Sequence, residues 1–374
     1  IGTILAYAFT RNVNKALSIL MVDFSCALKL SIPIAVLSAM RQASNMGIVI
    51  KGGKYMELVS KADTVVFDKT GTLTVSSPTV KDIVTFGGND KKEMLKLAAC
   101  LEEHYPHSIA NAVVKAAEEE GLVHEEKHSK VEYVVAHGIV SSINGQKVLI
   151  GSHHFLFEDE KCVVPEEELE TFNSIPDEYS HLYMAIGNRL VAVILIEDPI
   201  RKESKQLVQS LHEYGLRNLV MMTGDSERTA RAVANKVGMD AYYSEVLPED
   251  KASFVRKEKK NGNTVIMVGD GINDALALSE ADVAIAISNG AEITREIADV
   301  TIPAEDIMKI ASLRNLSTKL ESRIEGNYQK IMFINSTLII LGLLGILPPS
   351  STAYLHNFST LALSAYSMSD MKIS

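Results

Sequence analysis

Thr64-Val65-Val66-Phe67, followed by Asp68-Lys69-Thr70-Gly71-Thr72-Leu73-Thr74, constrains this chain more than any other string in it. A short β-branched run that ends in an acid and then a Thr/Gly turn reads as a buried parallel strand. Its C-terminal tip then presents a carboxylate where open α/β sheets keep their chemistry. A carboxylate so placed can be a nucleophile that takes a phosphoryl group from ATP. The plain alternative is a strand-end Asp that caps its own turn.

Two further apolar runs end in turns of similar chemistry. Asn218 to Met222 leads into Thr223-Gly224-Asp225, and Thr264 to Val268 leads into Gly269-Asp270-Gly271-Ile272-Asn273-Asp274; Lys251 lies between them in Leu247-Pro248-Glu249-Asp250-Lys251. Each tip supplies one group that phosphoryl transfer needs. Thr223 offers a hydroxyl and Gly224 a close N–H for phosphate oxygens, with Asp225 beside them. Lys251 offers a positive charge against developing negative charge. Asp270 and Asp274 offer oxygen ligands of the kind Mg²⁺ takes.

These strings together resemble the phosphorylation domain of the haloacid-dehalogenase type, and within it the P-type ATPases. The resemblance implies that Asp68 forms an aspartyl phosphate, with Lys69, Thr70, Thr223, Gly224, Asp225 and Lys251 as its catalytic set and Mg²⁺ held at Asp68, Thr70, Asp270 and Asp274. Soluble phosphatases of the superfamily carry a second Asp two positions after the nucleophile. Thr70 stands there in this chain, so the acyl phosphate should persist.

At 374 residues the chain is long enough for two or three domains, and its net charge of −10 argues against a nucleic-acid partner. The apolar residues concentrate at the two ends. Ala16 to Met40, Ile331 to Leu347 and Ala353 to about Met371 read as membrane spans of roughly 20 residues, the last two joined by Pro348-Pro349-Ser350-Ser351 into a hairpin, and Ile1 to Phe9 as the tail of an earlier span. Residues 41–327 would then face the cytoplasm with ATP, in a bacterial plasma membrane. Widely spaced Cys26, Cys100 and Cys162 indicate neither a disulfide framework nor a structural zinc site.

Asp23-Phe24-Ser25-Cys26-Ala27-Leu28-Lys29-Leu30-Ser31-Ile32-Pro33 is similar to the metal-site helix of heavy-metal-transporting (type IB) P-type ATPases, in which a Cys-Pro-Cys-like site precedes Ala-Leu-Gly-Leu-Ala-Thr-Pro. Ser25 and Lys29 depart from that pattern. One thiol with an acid three residues away suits a divalent ion such as Mn²⁺, Zn²⁺, Co²⁺ or Fe²⁺ better than Cu(I). Asp23 and Lys29 are costly in a bilayer, roughly 2.5–3.5 kcal/mol each, which marks them as functional candidates. His356, in a string similar to one in the family's last membrane helix, completes the expected transport set of Cys26, Asp23, Ser25 and His356. The same resemblance puts ATP on the inserted domain at Glu103, His107 and Gly138, with Lys251 on its phosphate, and makes Asp198-Pro199-Ile200-Arg201 a tie at the start of a long helix.

The expected organisation is therefore a haloacid-dehalogenase-like doubly wound parallel sheet with an inserted α+β nucleotide-binding domain, flanked by transmembrane helices. Its boundaries would be 1–47 membrane helices with the metal site, 48–77 and 198–326 the two parts of the phosphorylation domain, 78–197 the insert, and 327–374 the C-terminal hairpin. The implied activity is ATP-driven export of a transition-metal cation, by a chain lacking the family's actuator domain and first membrane helices. The alternatives are a soluble phosphohydrolase of the same superfamily and a P-type pump for another cation.

Overall fold

The computed structural model describes residues 2–75, 77–104, 108–122, 132–134, 138–143, 145–176, 179–270, 274–288 and 296–373. In chain order the helices are α1 (Gly2–Thr10), α2 (Val13–Leu20), α3 (Phe24–Asn45), α4 (Gly53–Lys61), α5 (Lys91–Glu102), α6 (Ser108–Glu119), α7 (Leu169–Asn173), α8 (Ser204–Glu213), α9 (Glu227–Val237), α10 (Pro248–Lys260), α11 (Ala275–Glu280), α12 (Lys309–Leu344) and α13 (Pro349–Met368). The strands are β1 (Val49–Ile50), β2 (Thr64–Asp68), β3 (Thr79–Thr85), β4 (Glu132–Val134), β5 (Gly138–Ile143), β6 (Gln146–Gly151), β7 (Ser180–Ile186), β8 (Arg189–Glu197), β9 (Asn218–Met222), β10 (Ala241–Tyr243), β11 (Val265–Gly269), β12 (Val283–Ser288) and β13 (Val300–Pro303). They divide into two compact units, one of residues 1–61, 299–302 and 309–374, the other of 62–298 and 303–308.

The second unit holds two sheets. Strands β12, β11, β2, β9 and β10 run parallel in that order. All five residues of β2 are buried, as expected of a central parallel strand covered on both faces. On one face Val66, Val220 and Met267 pack with Val255 of α10 and Ala277 and Leu278 of α11. The register aligns Asp68 with Met222, so the β2 tip and the turn after β9 sit side by side. Inserted after β2 is a six-stranded antiparallel sheet of order β3-β8-β7-β6-β5-β4. Its strands alternate sides: Ile150, Met184 and Ile194 meet Leu95, Ala98 and Val113 of α5 and α6, whereas Leu149, Tyr183 and Val193 meet Phe155 and Leu156. Strand β3 shows little periodicity in sequence, because Thr79-Val80-Lys81-Asp82-Ile83 exposes most of its residues.

Between the sheets, the chain after Asp68 makes a wide turn over Lys69–Leu73 in which Gly71 takes φ 78°, a conformation open to glycine at little cost. Thr74 Oγ1 closes it, accepting from Gly71 N at 3.0 Å. Arg201 clasps the same turn from outside. Its Nε donates to the carbonyls of Thr72 (3.0 Å) and Thr74 (2.9 Å), Nη2 to Gly71 O (3.3 Å) and Nη1 to Ala304 O. Asp198 to Arg201 therefore does not open a helix, as the sequence suggests. The chain there is an anchor, and α8 begins only at Ser204, whose hydroxyl donates to Leu73 O at 2.9 Å.

In the first unit α3 packs against α12 and α13, and α2 against both of the latter. The expected continuous span from Ala16 to Met40 is two helices. Asn12 caps α2 by accepting from Asn14 N and Lys15 N, and Met21 to Asp23 break the chain before α3. Helices also form at the other expected spans. Yet among the described residues no helix is long and apolar enough to cross a membrane; Lys29 lies within α3, Lys330 and Asn335 within α12, and His356 and Asn357 within α13. Asn327 Nδ2 donates to Ser367 Oγ at 2.8 Å, and Ser38 Oγ donates to Met368 O at 3.0 Å. Strands β1 and β13 pair antiparallel through Val49 and Thr301.

Two substitutions test these contacts. Arg201→Ala leaves three carbonyls of the turn without their donor and should lower stability by about 1–3 kcal/mol; faster amide exchange at Gly71 to Thr74 and not in β11 is the expected signature. A Cβ on Gly342 would lie 2.5 Å from Ser18 Cβ, so Gly342→Val should force α2 from α12 and lower the thermal midpoint in detergent, with Ser18→Gly restoring part of the loss.

Candidate active site

Asp68 ends β2 with 8% of its surface exposed. Lys251 Nζ, from the first turns of α10, donates to Asp68 Oδ1 at 2.5 Å and to Asp274 Oδ1 at 2.8 Å. Pro248 starts that helix at its first position, where a missing N–H costs nothing, and so sets Lys251 on the inward face. Asp274 reaches the pair because Gly269 has no side chain: a Cβ there would stand 2.4 Å from Asp274 Oδ2. Burial, then repulsion from Asp274 and Asp270, pushes the Asp68 carboxyl up to about 7 against the pull of Lys251. Burial by itself would lower Lys251, but Asp68 and Asp274 hold its ammonium above the ordinary lysine value.

A second charged cluster adjoins the first. Lys69 Nζ lies 2.7 Å from Asp225 Oδ2 and 3.4 Å from Asp198 Oδ2, with its side chain almost wholly buried. Thr223 Oγ1 donates to Asp225 Oδ2 at 2.9 Å, and Ser180 Oγ donates to Asp225 Oδ1 at 2.9 Å. Burial raises the Asp225 carboxyl, yet Lys69 and these hydrogen bonds pull it below the usual carboxylate range. Lys69 stays above its ordinary value because Asp225 and Asp198 outweigh its desolvation.

The chain thus brings together Asp68, Lys251 and Asp274, and beside them Lys69, Thr223 and Asp225. Thr70 follows in the turn, half-buried, and Gly224 is exposed at the tip of β9. Asp274 Oδ2 is buried with no hydrogen bond among the described residues, an oxygen left for a hard cation. Glu103 is exposed just after α5 and Gly138 opens β5, both in the inserted part; His107 lies outside the described residues. Sequence reasoning missed Ser180, because a serine at the edge of a strand carries no periodic or motif signal.

In the first unit Cys26 Sγ donates to Asp23 Oδ2 at 2.9 Å, and His356 Nδ1 lies 3.1 Å from Asn335 Oδ1. Ser25 is in α3, its side chain outside what is described. Among the described residues these ligand atoms do not gather three within 4.8 Å of one another; the group that does is His154, Glu158 and Glu245, at the surface of the second unit.

Comparison with known proteins agrees with this geometry. The sequence profile of haloacid dehalogenase-like hydrolases matches residues 62–282. A zinc-exporting P-type ATPase of Mycobacterium marinum is 35% identical over 361 residues, covering 96% of this chain and 49% of that protein. A manganese-exporting P-type ATPase of Mycobacterium tuberculosis is 35% identical over 366 residues, covering 97% and 51%. The crystal structure of a zinc-transporting PIB-type ATPase in the E2.Pi state superposes with a TM-score of 0.67 at 28% identity, covering 92% of this chain and 55% of that one. The chain spans about half the length of the curated relatives it matches. It belongs to the haloacid dehalogenase-like hydrolase family and is a homologue of the heavy-metal P-type ATPases.

Proposed function

We propose that this chain is the catalytic part, with adjoining membrane helices, of a pump that exports a divalent transition-metal cation at the expense of ATP. The observation that carries the reading is the buried Asp68 carboxylate on the Lys251 ammonium at 2.5 Å, with Thr70 and no acid two residues on. Asp68 Oδ attacks the γ-phosphorus of ATP, the bond from that phosphorus to the β,γ-bridging oxygen breaks, and ADP leaves with the electron pair. Lys251 meets the charge that develops on the transferring group. Thr223 and Gly224 offer a hydroxyl and an N–H to its oxygens. Asp68, Thr70, Asp270 and Asp274 would hold Mg²⁺, which when bound spreads charge over the phosphate oxygens. Without a proton acceptor at position 70, water is not activated at the phosphoenzyme, and the bond lasts long enough for a conformational step.

Membrane residence is supported by the packing of the first unit, which buries polar side chains among apolar ones while large apolar side chains face outward. Asn327, Asn335, Thr352, His356, Thr360, Ser364 and Ser367 are buried, whereas Phe333, Leu344, Leu361 and Leu37 are 64% or more exposed. Water-soluble bundles do the reverse, and lipid-embedded ones bond polar groups across helices. A divalent cargo is supported by the donor set of Cys26 with Asp23, one thiol and one carboxylate, and by the metals in the names of the zinc- and manganese-exporting relatives.

The parent chain should take label from γ-³²P-ATP and Mg²⁺ into an acid-stable, hydroxylamine-labile form, and Asp68→Asn should take none; equal labelling of the two would remove Asp68 as the nucleophile. Zn²⁺ or Mn²⁺ should raise labelling of the parent and not of Cys26→Ala. Burial and the neighbouring acids push the metal-free Asp68 carboxyl up to about 7; since only the ionised carboxylate attacks, the initial rate should rise with pH along a limb that moves to lower pH as Mg²⁺ is raised. Lys251→Gln removes the charge that opposes that upward shift, so its rate should be lower and its rising limb should move to higher pH.

A further inference from the structure

Ser180 is the first residue of β7, in the inserted sheet, and only 8% of it is exposed. It is nevertheless joined to the phosphorylation site. Its hydroxyl donates to Asp225 Oδ1 at 2.9 Å and lies 3.5 Å from Lys69 Nζ. The preceding residue is tied to the same region, since Thr229 Oγ1 of α9 donates to Tyr179 O at 3.0 Å. A cavity of about 240 Å³ adjoins these groups, lined by Lys69, Tyr179, Ser180, Asp198, Thr229 and Lys236 among others, so the side chains have room to move once a tie is lost. Asp225 holds its Oδ2 toward Lys69 and Thr223. Its Oδ1 is bonded to Ser180, and a carboxylate with one buried oxygen left unbonded rotates or draws the neighbouring cation to itself. Lys69 follows the nucleophile directly in the chain, so any shift of the pair reaches Asp68.

We propose that Ser180 is a positioning residue for phosphoryl transfer: its hydroxyl fixes the Asp225 carboxylate, and through it the Lys69 ammonium, in the arrangement the transferring phosphate meets. The inference rests on the aspartyl-phosphate reading above. Ser180 touches neither nucleophile nor phosphate in this account, and it acts by setting the orientation of a charged pair beside them. Being on β7, it also makes that orientation depend on where the inserted sheet is seated.

The test compares the 374-residue chain with Ser180→Ala and Ser180→Thr, each corrected for folded fraction by its thermal transition. Phosphoenzyme formation is followed from saturating γ-³²P-ATP and, separately, from ³²P-acetyl phosphate, which needs no nucleotide site. Ser180→Ala should slow both by about tenfold, the effect of losing a hydrogen bond to a buried carboxylate, while the affinity for ATP is unchanged. Ser180→Thr, which keeps the hydroxyl, should recover most of the rate. In an Asp225→Asn background Ser180→Ala should add no further loss, since the group it orients is already altered. The inference is overturned by a Ser180→Ala rate equal to the parent's, by a loss confined to ATP, or by a threonine variant as slow as the alanine one. If the parent itself takes no label from either donor, it is the aspartyl-phosphate reading that fails.

Discussion

The second unit is organised around one ammonium group. Lys251 stands between the carboxylates of Asp68 and Asp274, and all three side chains are at most 11% exposed. Bringing three such groups out of water is unfavourable unless they neutralise one another. Two negative charges face one positive one, so the triad is short of a positive charge. Burial, and then that deficit, push Asp68 up to about 7 despite a lysine at 2.5 Å. The same deficit favours the cation site proposed above, where Asp274 Oδ2 is buried without a hydrogen bond among the described residues. A nucleophile and a cation site are thus one electrostatic arrangement.

The neighbouring cluster carries the same imbalance and resolves it differently. Lys69 faces Asp225 and Asp198, again one positive charge against two negative, but here hydroxyls of Thr223 and Ser180 take up both oxygens of Asp225. With its charge spread over three donors, Asp225 stays below the usual carboxylate range although it is buried. Asp68, buried and repelled by Asp274 and Asp270, with Lys251 as its donor among the described residues, does not. Two adjacent carboxylates are therefore set to different proton affinities by the number of donors around each, a division suited to one that attacks and one that orients.

Much of this was legible in the residues. Strands β2, β9 and β11 are short β-branched or apolar runs that end in or lead directly into Asp- and Gly-bearing turns, and each is central enough to be buried, so hydrophobicity and punctuation coincide. Of the residues proposed to be catalytic, Asp68, Thr223 and Asp225 sit where those runs stop, which is why the sequence singles them out. Ser180 could not be found, because what makes it special is an approach to Asp225 across 45 residues of sequence. Arg201 was legible as a tie but not as a clasp: its partners are carbonyls, which every residue possesses and no sequence distinguishes. Strand β3 was missed since one face is solvated and its apolar residues are few.

The first unit shows why apolar content and membrane packing are separate properties. A helix that buries polar groups against its neighbours and turns apolar ones outward has a modest mean hydropathy, because both kinds of residue lie on one helix. In α12 the inward positions are Asn327 and Asn335, along with Ile331, Leu338 and Gly342, and the outward ones include Phe333 and Leu344. In α13 the inward positions are Thr352, His356, Thr360, Ser364 and Ser367, spaced four, four, four and three apart. That spacing is one continuous stripe of a helix. Thr352, Thr360 and Ser367 bond backbone carbonyls of their own helix, and Ser367 also accepts from Asn327. Those bonds lower the penalty of holding hydroxyls away from water. On α13 the exposed side chains are mostly apolar or aromatic, among them Tyr354, Phe358, Leu361, Tyr366 and Met368. In the membrane setting proposed above, such a helix would have an apolar solvent around it and polar neighbours within it.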